Sequence, residues 1–169
     1  MLGCNLYLMQ IQQRLAHGHK AATMDTKFSV AIHVLVLASE SPTPMSSAQM
    51  AASVGTNASY VRKIIALLKQ AKIIESHQGA TGYALLARPQ ELSLLRVYQA
   101  VMGDASSHIL DIHRNPNDAC AVGRNIKPVL GSLFGEAEDS FRHALEDRTL
   151  ADCIGGIRQR LRQEEQEEP

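Results

Sequence analysis

The stretch that decides the fold runs from Met45 to Arg88 and reads MSSAQMAASVGTNASYVRKIIALLKQAKIIESHQGATGYALLAR. Ser46 and Gln49 form a capping box, which predicts that a helix begins at this point. We expect the helix to end near Gly55, because glycine permits the left-handed backbone of a sharp turn. The sequence therefore predicts one short helix that runs into a tight turn.

A second helix follows this turn. Thr56 or Asn57 can cap it, so it should begin about at Ala58. Four apolar residues at helical spacing make a core-facing stripe, namely Val61, Ile64, Ile65 and Leu68. The opposite face and its flanks carry short polar and cationic side chains, namely Ser59, Tyr60, Arg62, Lys63 and Gln70, with Ala66 among them.

After Lys72 the helical pattern gives way to two short runs that are rich in β-forming residues. These runs are Ile73 to Ser76 and Gly82 to Ala87, and the segment 77–81, His-Gln-Gly-Ala-Thr, separates them. This pattern predicts a glycine-bearing hairpin. Two helices at a tight turn followed by a hairpin predict a winged helix-turn-helix, so the chain should be mainly α with a small β-hairpin wing.

In helix-turn-helix proteins the second helix lies in the major groove of DNA and presents its first residues to the bases. Short polar and cationic side chains suit base edges and phosphates. The candidate DNA contacts are Asn57, Ser59, Tyr60, Arg62, Lys63, Lys72, His77 and Arg88. Two alternatives remain open, a helix face that is simply solvated and a hairpin that only covers the core.

Three runs of residues resemble the Rrf-two family of bacterial transcription regulators. They are residues 26–33, residues 59–64 and residues 79–89, and the resemblance covers Met24 to about Leu150. It implies a homodimer whose winged domains bind palindromic double-stranded DNA. It also implies that a long helix after the wing forms much of the dimer interface.

The chain departs from its cluster-binding relatives in its cysteines. Those relatives carry three closely spaced cysteines after the wing, whereas Cys120 is the single cysteine between Val101 and Lys127. An iron–sulfur cluster needs several ligands, so we expect no cluster and no other cofactor. Cys120 is a candidate redox sensor, with the alternative that it packs beneath the dimerisation helix. A metal site made of His108, His113 and Cys120 matches no recurrent zinc spacing.

The second half of the chain should be helical. Leu92 to Met102 predicts a helix that Gly103 ends, and a polar loop should follow to about Asn125. From Val129 onward, a seam suited to helix pairing comprises Leu130, Phe134, Ala137, Phe141 and Ala144, widened by Leu133 and Leu145. Packing of this seam against the winged domain is the alternative to dimerisation. Thr149 with Asp152 should cap a last helix, which the pair Gly155 and Gly156 should weaken.

Charge and composition are those of a globular protein without a net charge. The chain has 17 Lys and Arg against 17 Asp and Glu, yet residues 24–90 carry six basic and three acidic residues, a net of +3. Residues 91–169 carry nine basic and fourteen acidic residues, a net of −5. The positive half should face DNA. No apolar run is long enough to span a bilayer, and we expect a cytoplasmic protein.

We divide the chain into four parts. Residues 1–23 form an N-terminal arm or precede a true start at Met24, and they lack the features of a signal peptide. Residues 24–90 form the winged domain, residues 91–163 the helical linker and dimerisation region, and residues 164–169 an acidic tail.

The sequence contains no nucleotide-binding glycine loop and no nucleophile with a recognisable base motif beside it, so we expect no enzyme. We expect a DNA-binding transcriptional regulator that acts as a repressor, with double-stranded DNA and an unidentified small-molecule effector as its candidate partners. The alternative is a winged-helix protein-interaction module without specific DNA binding.

Overall fold

A computed structural model describes residues 25–77, 82–103 and 109–167 of the 169-residue chain. The helices are α1 (Lys27–Glu40), α2 (Ser47–Val54), α3 (Ala58–Gln70), α4 (Leu94–Met102), α5 (Ala121–Glu146) and α6 (Leu150–Glu167). The strands are β1 (Ile74–Ser76) and β2 (Tyr83–Leu85), which pair into a hairpin. This is the predicted mainly helical architecture with a small wing. Among the described helices, none is both long and apolar enough to cross a bilayer.

The turn between α2 and α3 is built from local hydrogen bonds, as predicted. The Ser46 hydroxyl accepts from the Gln49 N–H at 3.3 Å, and the Ser46 N–H donates to Gln49 Oε1 at 2.9 Å. Gly55 ends α2 with a left-handed φ of +74°. Asn57 is the residue that caps α3, because its Oδ1 accepts from the Tyr60 N–H at 2.8 Å. These bonds fix where α3 begins relative to α2.

The hydrophobic core lies against one face of α3. The stripe residues Val61, Ile64, Ile65 and Leu68 are at most 4% exposed. They share a cluster with the fully buried Val34 and Leu35 of α1. Helices α4 and α6 add further buried side chains to this cluster, namely Val97, Val101, Leu150 and Ile154. Since burying one such side chain stabilises a fold by about 1.5–3 kcal/mol, the stripe sets the rotation of α3 about its axis.

The wing is shorter than the two predicted runs. Strands β1 and β2 pair antiparallel with Glu75 opposite Ala84. Ile73 falls outside β1 and joins α3 to the wing. Its N–H donates to the Leu68 carbonyl at 2.9 Å, and its carbonyl accepts from the Leu86 N–H at 2.9 Å. The predicted tip falls mainly on residues 78–81, which lie outside the described residues.

Gly82 is the position in the wing where only glycine fits. Its φ is +131°, a backbone conformation that other residues rarely adopt. A Cβ at this position would lie 2.4 Å from the Cβ of Pro44. The wing therefore packs its backbone directly on the segment that precedes α2.

The start of α4 is joined to the start of α6 by backbone hydrogen bonds. The Leu94 N–H donates to the Arg148 carbonyl at 2.8 Å, and the Leu150 N–H donates to the Leu92 carbonyl at 2.9 Å. The predicted cap of α6 is confirmed by Asp152, whose Oδ2 accepts from the Thr149 N–H at 2.7 Å. The last helix thus returns to the winged domain, although it is distant from it in sequence.

Helix α5 begins eight residues before the predicted seam, so the prediction of a loop to about Asn125 was wrong. Asn117 makes the turn that starts the helix, since its carbonyl accepts from the Cys120 N–H at 3.1 Å and its Oδ1 accepts from the Ala119 N–H at 2.9 Å. Pro128 lies inside the helix. Proline inside a helix removes one backbone hydrogen bond and crowds the carbonyl four residues earlier, which costs about 3 kcal/mol.

The predicted seam of α5 divides between two faces. Phe141 stacks edge-on against Tyr98 of α4, with ring centroids 5.4 Å apart, so this part of the seam packs within the chain. The large apolar side chains of α5 that are most exposed in the single chain lie about a quarter turn around the helix from Phe141. They are Val122 (69%), Val129 (61%) and Leu133 (57%). No residue of α5 is buried in the single chain. The unpartnered apolar face of α5 is therefore the face of these three residues.

Helix α6 runs through the glycine pair that was expected to weaken it. It extends from Leu150 to Glu167, and the residues 164–167 of the predicted acidic tail form its exposed last turn. Arg158, just after the glycines, pairs with Glu40 of α1 with Nε to Oε2 at 2.8 Å. Buried Ile154 and this ion pair hold the helix to α1 on both sides of the glycines.

We predict opposite stability effects for two Gly→Ala substitutions. Gly82→Ala should lower the free energy of unfolding by about 1–3 kcal/mol, because its φ is strained and Pro44 must move. Gly155→Ala should raise it by about 0.5–1 kcal/mol, because a methyl group there meets no atom within 4 Å and alanine favours helix. Urea unfolding of both variants measures the two changes. Equal shifts in one direction would contradict this description of the two glycines.

Candidate nucleic-acid interface

The outward face of α3 is a polar and cationic surface of the winged domain. Because the apolar stripe of α3 is buried in the core, the side chains on the opposite side of the helix are in solvent. The exposed residues include Asn57, Ser59, Arg62, Lys63, Ala66 and Gln70. Asn57 caps the helix, and the others lie along its 13 residues. The structure therefore brings together most of the predicted contacts on α3 as one continuous surface.

Arg62 and Lys63 supply the positive charge of this surface. One Arg62 amino group donates to the Ser59 hydroxyl at 3.0 Å, which orients the guanidinium and leaves its other donors unused. Lys63 is exposed and makes no hydrogen bond or ion pair with another described residue. Both groups are thus available to an anionic or hydrogen-bonding ligand.

Tyr60 is placed differently from the other predicted contacts. Its ring is half-buried and packs against the hydrophobic core, and its hydroxyl lies 3.4 Å from the Thr26 hydroxyl. Tyr60 therefore positions the first turn of α3 against the start of α1. This leaves less of its surface for a ligand than Arg62 or Lys63 offers.

Two interactions at the end of α3 were not predicted from the sequence. The Lys69 ammonium donates to the Ser76 hydroxyl of β1 at 2.9 Å, which ties α3 to the wing. Lys72 has a positive φ of 53°, and its carbonyl accepts from the Arg96 guanidinium of α4 at 3.2 Å. Both contacts join residues that are at least seven positions apart, so helical spacing gave no signal for them. They hold the wing and α4 at a fixed place beside α3.

The predicted contacts of the wing lie at its two ends. His77 is exposed, and its N–H donates to the Gly82 carbonyl at 3.1 Å where the hairpin closes. Arg88 forms an exposed ion pair with Glu91, which raises the pKa of Arg88 and lowers that of Glu91. Exposed pairs of this kind contribute little and exchange easily. Arg88 is therefore less free than Lys63 to meet a phosphate.

Cys120 is exposed at the first turn of α5, so the alternative that it packs beneath the helix was wrong for the single chain. The backbone N–H groups of Gly123 and Val122 lower the pKa of its thiol. Lys127, seven residues further on, donates to the Arg114 carbonyl at 2.6 Å. The thiolate is thus favoured by the helix start.

The described residues offer no clustered donor set for a metal or an iron–sulfur cluster. Within residues 25–77, 82–103 and 109–167, no group of three His, Cys, Asp or Glu side chains is arranged to hold a metal ion. His108 of the weighed metal site lies outside these ranges. Cys153 is half-buried in α6, and burial raises the pKa of its thiol. The described residues therefore do not fit a thiolate-ligated cluster.

Comparison with known proteins assigns this architecture. The model of the Rrf2 family, which is the Rrf-two family named above and is described as an iron-dependent transcriptional regulator, matches residues 24–156. YwnA of Bacillus subtilis (strain 168), named as a candidate HTH-type transcriptional regulator, is 36% identical over 134 residues, which are 79% of this chain and 98% of that protein.

Solved structures agree with the sequence comparison. A crystal structure of a candidate DNA-binding protein is 34% identical, with a TM-score of 0.60 over 76% of this chain and 98% of that one. The IscR of T. potens shares the fold at 22% identity, with a TM-score of 0.60 over 83% of this chain and 91% of that one. The chain belongs to the Rrf2 family of DNA-binding transcriptional regulators.

Proposed function

We propose that this chain is a sequence-specific repressor that binds a palindromic operator in the cytoplasm as a homodimer. The observation that carries the proposal is the outward face of α3, where Arg62 and Lys63 offer unused donors beside exposed Ser59. The geometry of α3 supports this role, because Ser59, Arg62 and Lys63 are exposed near its capped start while its opposite side is buried in the core. We propose no enzymatic role.

The roles of the individual contacts follow from their positions. Ser59, Arg62 and Lys63 would enter the major groove, and Asn57 would hold the first turn of α3 while its exposed side meets the backbone. Lys72, His77 and Arg88 would contact phosphates on the side of the wing. Tyr60 would contribute mainly by positioning α3.

The exposed apolar face of α5 supports the homodimer. Val122, Val129 and Leu133 recur at intervals of seven and four residues, the spacing of a helix-pairing seam. Exposed apolar side chains in such a row are typical of a protein interface. Pairing of two chains through this face would present two copies of α3 to the half-sites of one operator.

A mobility-shift assay with the duplex upstream of the chain's own gene tests the function. We expect a shifted band that an excess of unlabelled upstream duplex removes and an unrelated duplex does not. Equal competition by both duplexes, or no shift at low salt, would favour the alternative of a protein-interaction module.

We predict that Arg62→Ala and Lys63→Ala weaken DNA binding. Loss of a base contact should cost about 1–3 kcal/mol and relax specificity at one position, whereas loss of a phosphate contact should weaken all sequences and reduce the salt slope by about one. Titrations at several salt concentrations separate the two cases. Arg160→Ala, which removes an exposed arginine of α6, is the matched control. Unchanged affinity in both α3 variants would exclude α3 as the recognition helix.

We predict that Leu133→Glu dissociates the homodimer. A carboxylate buried without a partner in the interface should raise the dimer dissociation constant by about a hundredfold or more. Sedimentation at micromolar concentration measures the change. Leu86→Glu is the matched control, since Leu86 is 49% exposed but lies next to the wing. A native chain that sediments as a monomer, with or without operator DNA, would contradict the proposal.

We further propose that the chain holds no iron–sulfur cluster and that any redox response passes through the Cys120 thiolate. The protein purified without oxygen should be colourless and should contain no stoichiometric iron or sulfide, because Cys120 is the single exposed cysteine of the described residues and cannot alone supply the ligands. Brown protein with stoichiometric iron and sulfide would contradict the first statement. Oxidant-sensitive DNA binding that persists in Cys120→Ser would contradict the second.

A further inference from the structure

A cleft of about 560 Å³ lies between α4 and α5. Its volume falls within the range of about 300–1,000 Å³ that small-molecule sites occupy. Helix α4 and its cap contribute Ser93, Leu95, Arg96 and Gln99 to the wall, and α5 contributes Asp139, Arg142, His143 and Glu146. The cleft is separate from the outward face of α3.

The charged groups of this cleft do not neutralise one another. Arg142 lies three residues after Asp139 and four before Glu146 on one helix, yet it forms an ion pair with neither and has no hydrogen bond to a described residue. It is nevertheless half-buried. Both carboxylates are also without an ion pair in the described chain. The wall thus presents positive and negative groups separately.

Two of the other wall residues, His143 and Arg96, are held in place by hydrogen bonds from their side chains to backbone carbonyls. His143 Nδ1 lies 2.8 Å from the Asp139 carbonyl, as expected for an N–H donor, which leaves Nε2 for a ligand. Arg96 donates to the Lys72 carbonyl at 3.2 Å through one amino group and keeps its other donors. The polar groups of the cleft are therefore partly preorganised for a bound molecule.

We propose that this cleft binds a free α-amino acid. Its carboxylate would meet the guanidinium groups of Arg96 and Arg142, which match a carboxylate in a bidentate manner. Its ammonium group would meet Asp139 or Glu146, and Leu95 would contact the aliphatic part of the molecule. Asp139 and Glu146 are exposed, so a simple anion would use only the guanidinium groups, whereas a zwitterion would also pair its ammonium group with a carboxylate of the wall.

The bound amino acid would regulate the proposed DNA binding, and this part rests on the proposed function. Arg96 connects the cleft to Lys72, the residue between α3 and β1, so a ligand that pulls on Arg96 acts at the junction of recognition helix and wing. If the amino acid binds one arrangement of this junction more tightly than another, its binding would shift the affinity for DNA by the ratio of those two amino-acid affinities.

Calorimetric titration of the full chain with each protein amino acid, up to about 10 mM, tests the site without DNA. We expect one or a few of them to bind at one molecule per chain. The amide of the bound amino acid, which lacks the carboxylate, and the corresponding acid without the amino group should each bind at least about tenfold more weakly.

Variants tie such binding to this cleft. Arg142→Gln and Asp139→Asn should each weaken binding about tenfold or more, whereas Arg160→Gln, an exposed arginine of α6, should leave it unchanged. Thermal melts show that each variant is folded. Equal loss in the Arg160 variant, or no loss in both cleft variants, would overturn the site.

The remaining outcomes separate this inference from the proposed function. No binding of any amino acid, together with intact operator binding, overturns the amino-acid site and leaves the proposed function standing. Equal binding of succinate or inorganic phosphate overturns the zwitterion as the ligand. Amino-acid binding that leaves the operator affinity unchanged overturns regulation, and amino-acid binding by a chain that never binds DNA overturns the proposed function while keeping the site.

Discussion

The burial of the apolar stripe of α3 is the constraint on which the interface depends. A helix is a rigid cylinder, so once Ile64 and Leu68 are fixed in the core, the direction of Arg62 and Lys63 is fixed as well. The Asn57 cap sets where the helix begins, and therefore which residues occupy its exposed first turn. Packing on one side of α3 in this way determines where the polar groups on the other side lie.

A second set of contacts joins this surface to the remainder of the chain. The backbone bonds between Leu92 and Leu150 bring α6 back to α4, and the Arg96 to Lys72 bond brings α4 to the end of α3. Helix α5 lies between α4 and α6 in the chain, with Phe141 stacked on Tyr98. The proposed dimer face and the cleft are therefore joined to α3 by a short series of packed elements.

Local rules explain what the sequence could predict and what it could not. The capping box at Ser46, a cap of α3 at Thr56 or Asn57 and the buried stripe of α3 depend on residues a few positions apart. The capping box and the stripe were predicted correctly, and Asn57 is the one of the two cap candidates that caps α3. The early start of α5 depended on a turn at Asn117, which overrode the breakers around it. The division of the seam at Phe141 depended on where α4 lies. Likewise, the placement of Tyr60 and the contact of Lys69 with Ser76 depend on neighbouring elements, which residue spacing does not specify. Arg88 could pair with several partners, and spacing alone did not show that it pairs with Glu91.

In vitro selection from a random duplex library with the purified full chain is the most direct test of the central claim that α3 reads DNA from a symmetric dimer. We expect enrichment of a two-fold symmetric motif. Its half-sites should lie one helical turn of DNA apart, about 34 Å, or a multiple of that distance. An unsymmetric motif, or no enriched sequence at all, would contradict it.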